Sequence, residues 1–165
     1  MRSPDAIIVG AGPAGLACAA TMRAAGLNVT VLEKADAVGA VWRRHYDRLH
    51  LHTDRNRSGL PGFAMPKAYP TYPSRAQLVA YLESYAAHFG IKPVFRTTVS
   101  CIRREGTHWS ADATGGTITA PVVVIATGIA DAPYRPCWPG SDLYRGAVVH
   151  SSEYQMSVRK PVSHP

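Results

Sequence analysis

The chain has 165 residues, 46% of them hydrophobic and 18% charged, and its 18 Lys and Arg against 11 Asp and Glu give a formal net charge of +7. That length and apolar content suit one domain with a buried core and exclude wholesale disorder and collagen-like or mucin-like composition. Gly, Pro, Asp or Arg interrupts every apolar run before the ~18 residues a membrane-crossing helix needs, so a soluble protein with no membrane partner is expected. Three cysteines with no C-x-x-C pair make the cytoplasm the expected compartment. The positive excess alone does not separate a nucleic-acid partner from a phosphate-bearing ligand.

The opening imitates a secretory signal, with Arg2 followed by apolar residues up to Ala20, but Asp5, Gly10, Gly12, Pro13 and Gly15 break it at short intervals. A strand, a turn and a helix account for it better. Residues 5–9 read as a short buried strand, 13–25 as a helix stopped by Gly26, and 28–33 as a second strand, which is a βαβ opening. From 39 to 73 periodicity is lost among Arg, His, Pro, Tyr and Gly, a loop-rich excursion with one short helix.

Order returns at Ser74, whose hydroxyl can cap a helix while Gln77 reaches back, and Leu78, Val79, Leu82, Tyr85, Ala86 and Phe89 line one face as far as Gly90. Residues 94–104, 109–113 and 117–120 read as short antiparallel strands, the last two joined across Gly115 and Gly116, a small meander. The apolar, largely β-branched run 122–126 should return to the parallel sheet as a strand covered on both faces. Beyond Gly128 the chain is irregular with no convincing helix. Residues 1–154 are expected to form the domain and 155–165 a disordered tail.

Gly10-Ala11-Gly12-Pro13-Ala14-Gly15 fits G-x-G-x-x-G between a strand and a helix, the context that makes this pattern a dinucleotide-binding fingerprint. Gly10 would allow the tight turn, Gly12 the approach of a diphosphate to the backbone, and Gly15 the packing of helix on strand. The helix start, with Pro13 in its first turn, offers amides and a positive dipole end to phosphate. Glu33 closes the second strand where a carboxylate accepts from ribose hydroxyls and repels a 2′-phosphate, so the ligand is FAD or NAD rather than NADP.

Five later segments carry a family resemblance. Gly39-Ala40-Val41-Trp42 is similar to a G-G-x-W turn with Ala40 replacing the second glycine, Tyr46 to His52 (Y-D-R-L-H-L-H) to Y-D-R-L-x-L-H, and Tyr69 to Pro73 to Y-P-x-Y-P. Ala126-Thr127-Gly128 matches A-T-G, and residues 144–154 are similar to F-x-G-x-x-x-H-x-x-x-F/Y/W, with Tyr144 where Phe is usual. Together they resemble the flavin-containing monooxygenases, most closely the YUCCA-type branch. The resemblance implies FAD at the first site, NADPH at a second glycine motif beyond Tyr154, and O₂ as co-substrate. It also implies a peroxyflavin that oxygenates a small nitrogen or sulfur nucleophile or a 2-oxo acid.

The chain carries no second glycine motif, so an incomplete flavoprotein of the two-dinucleotide-domain type is expected: a Rossmann-like α/β unit, truncated before the NADPH domain. A downstream polypeptide supplying the remainder is a further expected partner. The expected cofactor-binding residues are Gly10, Gly12, Pro13, Ala14, Gly15, Glu33, Lys34, Gly39, Val41, Trp42, Arg48, His52, Thr127 and Gly128. No side chain is expected to be catalytic, because the cofactor carries the chemistry.

Other readings compete at several of these positions. Trp42 could wall the cofactor or fill the core, and the Arg-rich stretch 43–57 could be a solvated face or touch phosphate. Nucleic-acid binding is disfavoured, since no recognised module or interleaved stacking aromatics accompany the charge. His50 and His52 alternate as strand neighbours without further ligands, His150 reads as structural, and Cys18, Cys101 and Cys137 form no C-x-x-C pair. No metal site or dithiol centre is therefore expected. The alternatives to an oxygenase are an inactive remnant or a simple FAD- or NAD-binding module.

Overall fold

The computed structural model describes residues 3–129 and 133–154, and the tail expected at 155–165 lies outside them. Its architecture follows from one alternation. In β1 (Ala6–Val9) Ile7 and Ile8 are both fully buried, yet successive strand residues point to opposite faces. Ile8, with Val31 of β2 (Val29–Leu32), packs among the apolar residues of α1 (Pro13–Ala24) and α3 (Arg75–His88). Ile7, with Leu32, packs on Ala111 and Ala120 of the antiparallel meander β3 (Val99–Glu105), β4 (His108–Ala113) and β5 (Gly116–Ala120). Helices, parallel sheet and meander thus form three layers around two cores.

The parallel sheet has the order β2-β1-β6, with Ile8 opposite Val31 on one side and Val124 of β6 (Val122–Ile125) on the other. This is the expected Rossmann-like α/β arrangement with its small meander. Two details differ. Val94 belongs to the parallel sheet, bridging Leu32 and exchanging bonds with Val31 (2.8 Å) and Glu33 (3.0 Å), and not to the first meander strand. Arg96 separates the two by taking a left-handed conformation, φ 54°, an uncommon choice for a side chain other than Gly, Asn or Asp.

The second difference concerns β6. Val123 packs on the meander side and Val124 on the helix side, so both faces are covered at the strand's centre, but its end residues Val122 and Ile125 are 44% and 61% exposed. An all-apolar run reports β-propensity and says nothing about what lies against it.

The capping box of α3 forms as its sequence requires: the Ser74 hydroxyl accepts from the Gln77 amide (3.3 Å), and the Ser74 amide donates to Gln77 Oε1 (2.9 Å). Between 39 and 73 the short helix is α2 (Ala40–Arg44), and the remaining loop is fastened by backbone bonds to the start of α3. Leu51 donates to Pro73, Arg75 to Leu49 and Arg55 to Thr71, each at 2.8 Å. The Arg55 guanidinium also donates to the Lys67 and Tyr69 carbonyls. Tyr81 and Tyr85 complete the clasp from below, Tyr81 accepting from the Leu60 amide (2.6 Å) and donating to Phe63 O (2.5 Å), Tyr85 donating to Pro61 O (2.8 Å). Among the described residues no helix is long and apolar enough to cross a membrane.

Candidate nucleotide-binding site

The three fingerprint glycines have three different surroundings. A Cβ on Gly10, whose φ is +111°, would stand 2.4 Å from the carbonyl oxygen of Ala126 at the end of β6. A Cβ on Gly15 would stand 1.9 Å from the Gly10 carbonyl oxygen, so the closeness of α1 to β1 depends on its absence. A Cβ on Gly12 would meet nothing within 4 Å, and its φ of −81° suits any residue. The protein itself makes no demand for glycine there. What a side chain would fill is the space in front of the α1 N-terminus, which has no side-chain cap and no acidic residue in its first turn.

Glu33, 9% exposed, faces this turn. Its Oε2 accepts from the Ala11 amide at 2.7 Å and its Oε1 from the Ala35 amide at 2.9 Å. The Ala11 carbonyl in turn accepts from the Gly39 amide at 3.1 Å. Gly39 has φ 66°, and a Cβ there would press on Leu82 of α3 at 3.0 Å. The Ala11 peptide is therefore gripped from both sides, tying the fingerprint loop to the end of β2 and to the turn before α2.

Around these groups lies a cavity of about 600 Å³. Gly10, Gly12, Pro13, Ala14, Glu33, Lys34, Gly39, Val41, Trp42, Thr127 and Gly128 all line it, while Gly15 sits behind the wall, against Gly10. Arg48 and His52 do not line it. The ladder of residues 49–51 with 73–75 carries His52 to a separate open groove shared with His50, Pro70 and Tyr72, and Arg48 is exposed. Trp42 lines the cavity and also packs on the helix-side core.

Arg44 and His45, expected only as part of a basic stretch that could touch phosphate, continue from Trp42 along the cavity wall, and sequence reasoning missed Thr97, Thr98 and Val99, which reach it because Thr97 donates to the Glu33 carbonyl (2.9 Å). Adjacency to Trp42 was a usable signal for the first pair. No local signal existed for the second.

Most of the Arg-rich stretch is engaged internally: Arg43 with Glu83, Arg57 with Asp54 at 3.6 Å, and Arg55 with loop carbonyls. His150 accepts from the Ser152 amide (3.1 Å), capping a short 3₁₀ turn at Ser151–Glu153. Cys18, Cys101 and Cys137 are all free thiols, and no group of three or more His, Cys, Asp or Glu among the described residues could hold a metal ion.

Sheet order, glycine turn and terminal acid define a dinucleotide-binding α/β unit. The chain belongs to the family described as pyridine nucleotide-disulphide oxidoreductases, whose pattern matches residues 7–161. It is 44% identical to the indole-3-pyruvate monooxygenase YUCCA1 of Oryza sativa subsp. japonica, an alignment covering 92% of this chain and 38% of that protein. With the probable indole-3-pyruvate monooxygenase YUCCA4 of Arabidopsis thaliana the identity is 41%, over 92% and 38%. Among solved structures, a flavin-containing monooxygenase from Stenotrophomonas maltophilia superposes with a TM-score of 0.87 at 28% identity, over 96% of this chain and 48% of that one. These are the flavin monooxygenases that the segments from Gly39 to Tyr154 resemble, and the chain spans well under half the length of the curated relatives it matches.

Proposed function

We propose that the cavity binds FAD and that residues 1–154 are the FAD-binding unit of a flavin-dependent monooxygenase. The single observation that carries this is the clear space in front of Gly12, bounded by an uncapped helix start and by the buried Glu33. A diphosphate fits the first, where first-turn amides lack intrahelical acceptors and the dipole favours an anion. A ribose diol fits the second, since a carboxylate has about four acceptor positions and backbone amides take two of Glu33's.

When bound, FAD supplies the redox chemistry, taking hydride from NADPH and activating O₂. The chain's own residues bind and orient it. Gly10, Gly12, Pro13, Ala14 and Gly15 shape the diphosphate seat, Glu33 and Lys34 its adenosine end, and Gly39, Val41, Trp42, Thr127 and Gly128 the remaining walls. Arg48 and His52 would reach the cofactor only from outside this cavity. The relatives' names favour a small 2-oxo acid bearing an indole as substrate, and the cytosol is the compartment that fits unpaired cysteines.

A second reading, a nucleotide-binding module without turnover, is favoured by β6, which lies at the edge of the sheet with Val122 and Ile125 exposed. Titration with FAD and with NAD separates a flavin site from a general dinucleotide site, and NADPH oxidation by the loaded protein separates enzyme from module. Saturable FAD uptake is expected, weakened in Glu33→Ala. Protein that ignores FAD but binds NAD refutes the flavin assignment.

A further inference from the structure

We propose that Arg75 is a positioning residue for the nucleotide site, holding the cavity wall formed by α2 and His45. The inference rests on the reading that this cavity binds FAD. Helix α2 has only five residues, too few to persist on its own, and of its last carbonyls that of Trp42 accepts from the His45 amide while that of Arg43 has no donor within the helix. From the first turn of α3, Arg75 reaches the Arg43 carbonyl and that of His45 just past the helix. One guanidinium nitrogen donates to the Arg43 carbonyl at 2.9 Å and to the His45 carbonyl, and the other to Asp47 Oδ1 at 2.8 Å.

The side chain is only 22% exposed. At the start of its own helix a cation opposes the dipole, whereas at the end of α2 it complements it. Its favourable partners are therefore all across the gap. Trp42 and His45, with ring centroids 5.5 Å apart, line the same cavity as Gly12 and Glu33, so the carbonyls that Arg75 grips set where this wall stands.

The test uses the full chain with W109F and W138F, which leaves Trp42 as the sole indole. Acrylamide quenching of Trp42 emission in the ligand-free protein reports the wall directly, and FAD titration reports the site. R75A should increase quenching and weaken FAD binding by about tenfold, the scale of losing charge-assisted hydrogen bonds. R75K, which keeps the charge and one donor direction, should recover part of both and serves if R75A does not fold. D47N, which leaves the carbonyl contacts intact, should stay within about twofold of the parent.

Lower melting temperatures in R75A or R75K with quenching and FAD affinity at parental values would mean a merely structural arginine and overturn the proposal. Should the parent fail to bind FAD while quenching still responds to R75A, the flavin reading falls and the positioning role of Arg75 stands.

Discussion

Gly12 and Gly15 sit three residues apart in one motif, and the structure gives them opposite fates on substitution by alanine. At Gly12 the added methyl meets nothing within 4 Å, and the backbone at φ −81°, ψ −176° suits an L-residue. Alanine is a poorer N-cap than glycine by ~0.5 kcal/mol, and the less flexible unfolded chain returns ~0.4–1 kcal/mol, so stability should hold to within ~0.5 kcal/mol. FAD binding should not hold, because the methyl occupies the space a diphosphate needs to reach the helix amides. Losing one or two charge-assisted hydrogen bonds at ~1.5–3 kcal/mol each weakens binding by about 10- to 100-fold or more.

At Gly15 the methyl would lie 1.9 Å from the Gly10 carbonyl oxygen, a backbone atom that cannot swing aside. Alanine's better helix propensity, worth ~1 kcal/mol, offsets only part of an overpacking cost of ~3 kcal/mol or more. A net loss of ~2 kcal/mol lowers the melting temperature of a chain this size by about 5 °C or more. Thermal melts of both ligand-free variants, followed by FAD titration of whatever folds, give the comparison. A Gly12→Ala protein that melts as low as Gly15→Ala, or binds FAD within about twofold of wild type, refutes the reasoning.

Three further outcomes follow from the ionisable groups away from the cavity. Burial, and for Tyr85 the neighbouring Tyr81, raises both phenols above their ordinary value of 10.0, so the folded state favours the neutral form. Their contribution is whole below that value and is lost as pH rises through the raised one. Absorbance titration should therefore show two of the eight tyrosines ionising late, with unfolding. Tyr81→Phe, which strands the Leu60 amide and the Phe63 carbonyl, should cost ~1–3 kcal/mol in chemical denaturation. The Arg103 guanidinium, helped by Thr117, holds the half-buried Asp112 carboxyl below its ordinary 3.8. The stability gap between wild type and Asp112→Asn should be present above that pH and close as pH falls below it, and a gap that persists in acid would place the effect elsewhere.

What the sequence disclosed were features specified within a few residues. The glycine spacing fixes a turn and a helix start, and Ser74 with Gln77 writes its own capping box. What it concealed depends on contacts distant along the chain. Val94 joins the parallel sheet and not the meander because Arg96 breaks the chain left-handed, and nothing in an arginine announces such a break. The apolar face from Leu78 to Phe89 omits Tyr81, which is buried because the 60–63 loop, far along the chain, covers it and satisfies its hydroxyl. Arg48 and His52 lie in a segment of genuine resemblance, yet pairing with residues 73–75 directs that ribbon to another groove. Similarity of a segment does not fix which side chains in it reach the cavity.

Glu33 shows why the local and distant levels must be taken together. As a motif residue it is the acid expected at a ribose. In the fold it also accepts from Ala11 and Ala35, and Gly39 holds the same Ala11 peptide from the other side. Removing the carboxylate therefore frees two amides that are buried or half-buried and loosens the very loop that shapes the diphosphate seat, at a cost of ~1–3 kcal/mol for each donor left unsatisfied. A weakened Glu33→Ala protein would mix lost ribose contact with lost loop anchorage. At Gly12 a side chain would disturb no structural contact, and its carbonyl bond to the Leu16 amide is kept, so it is the residue at which ligand recognition can be separated from folding.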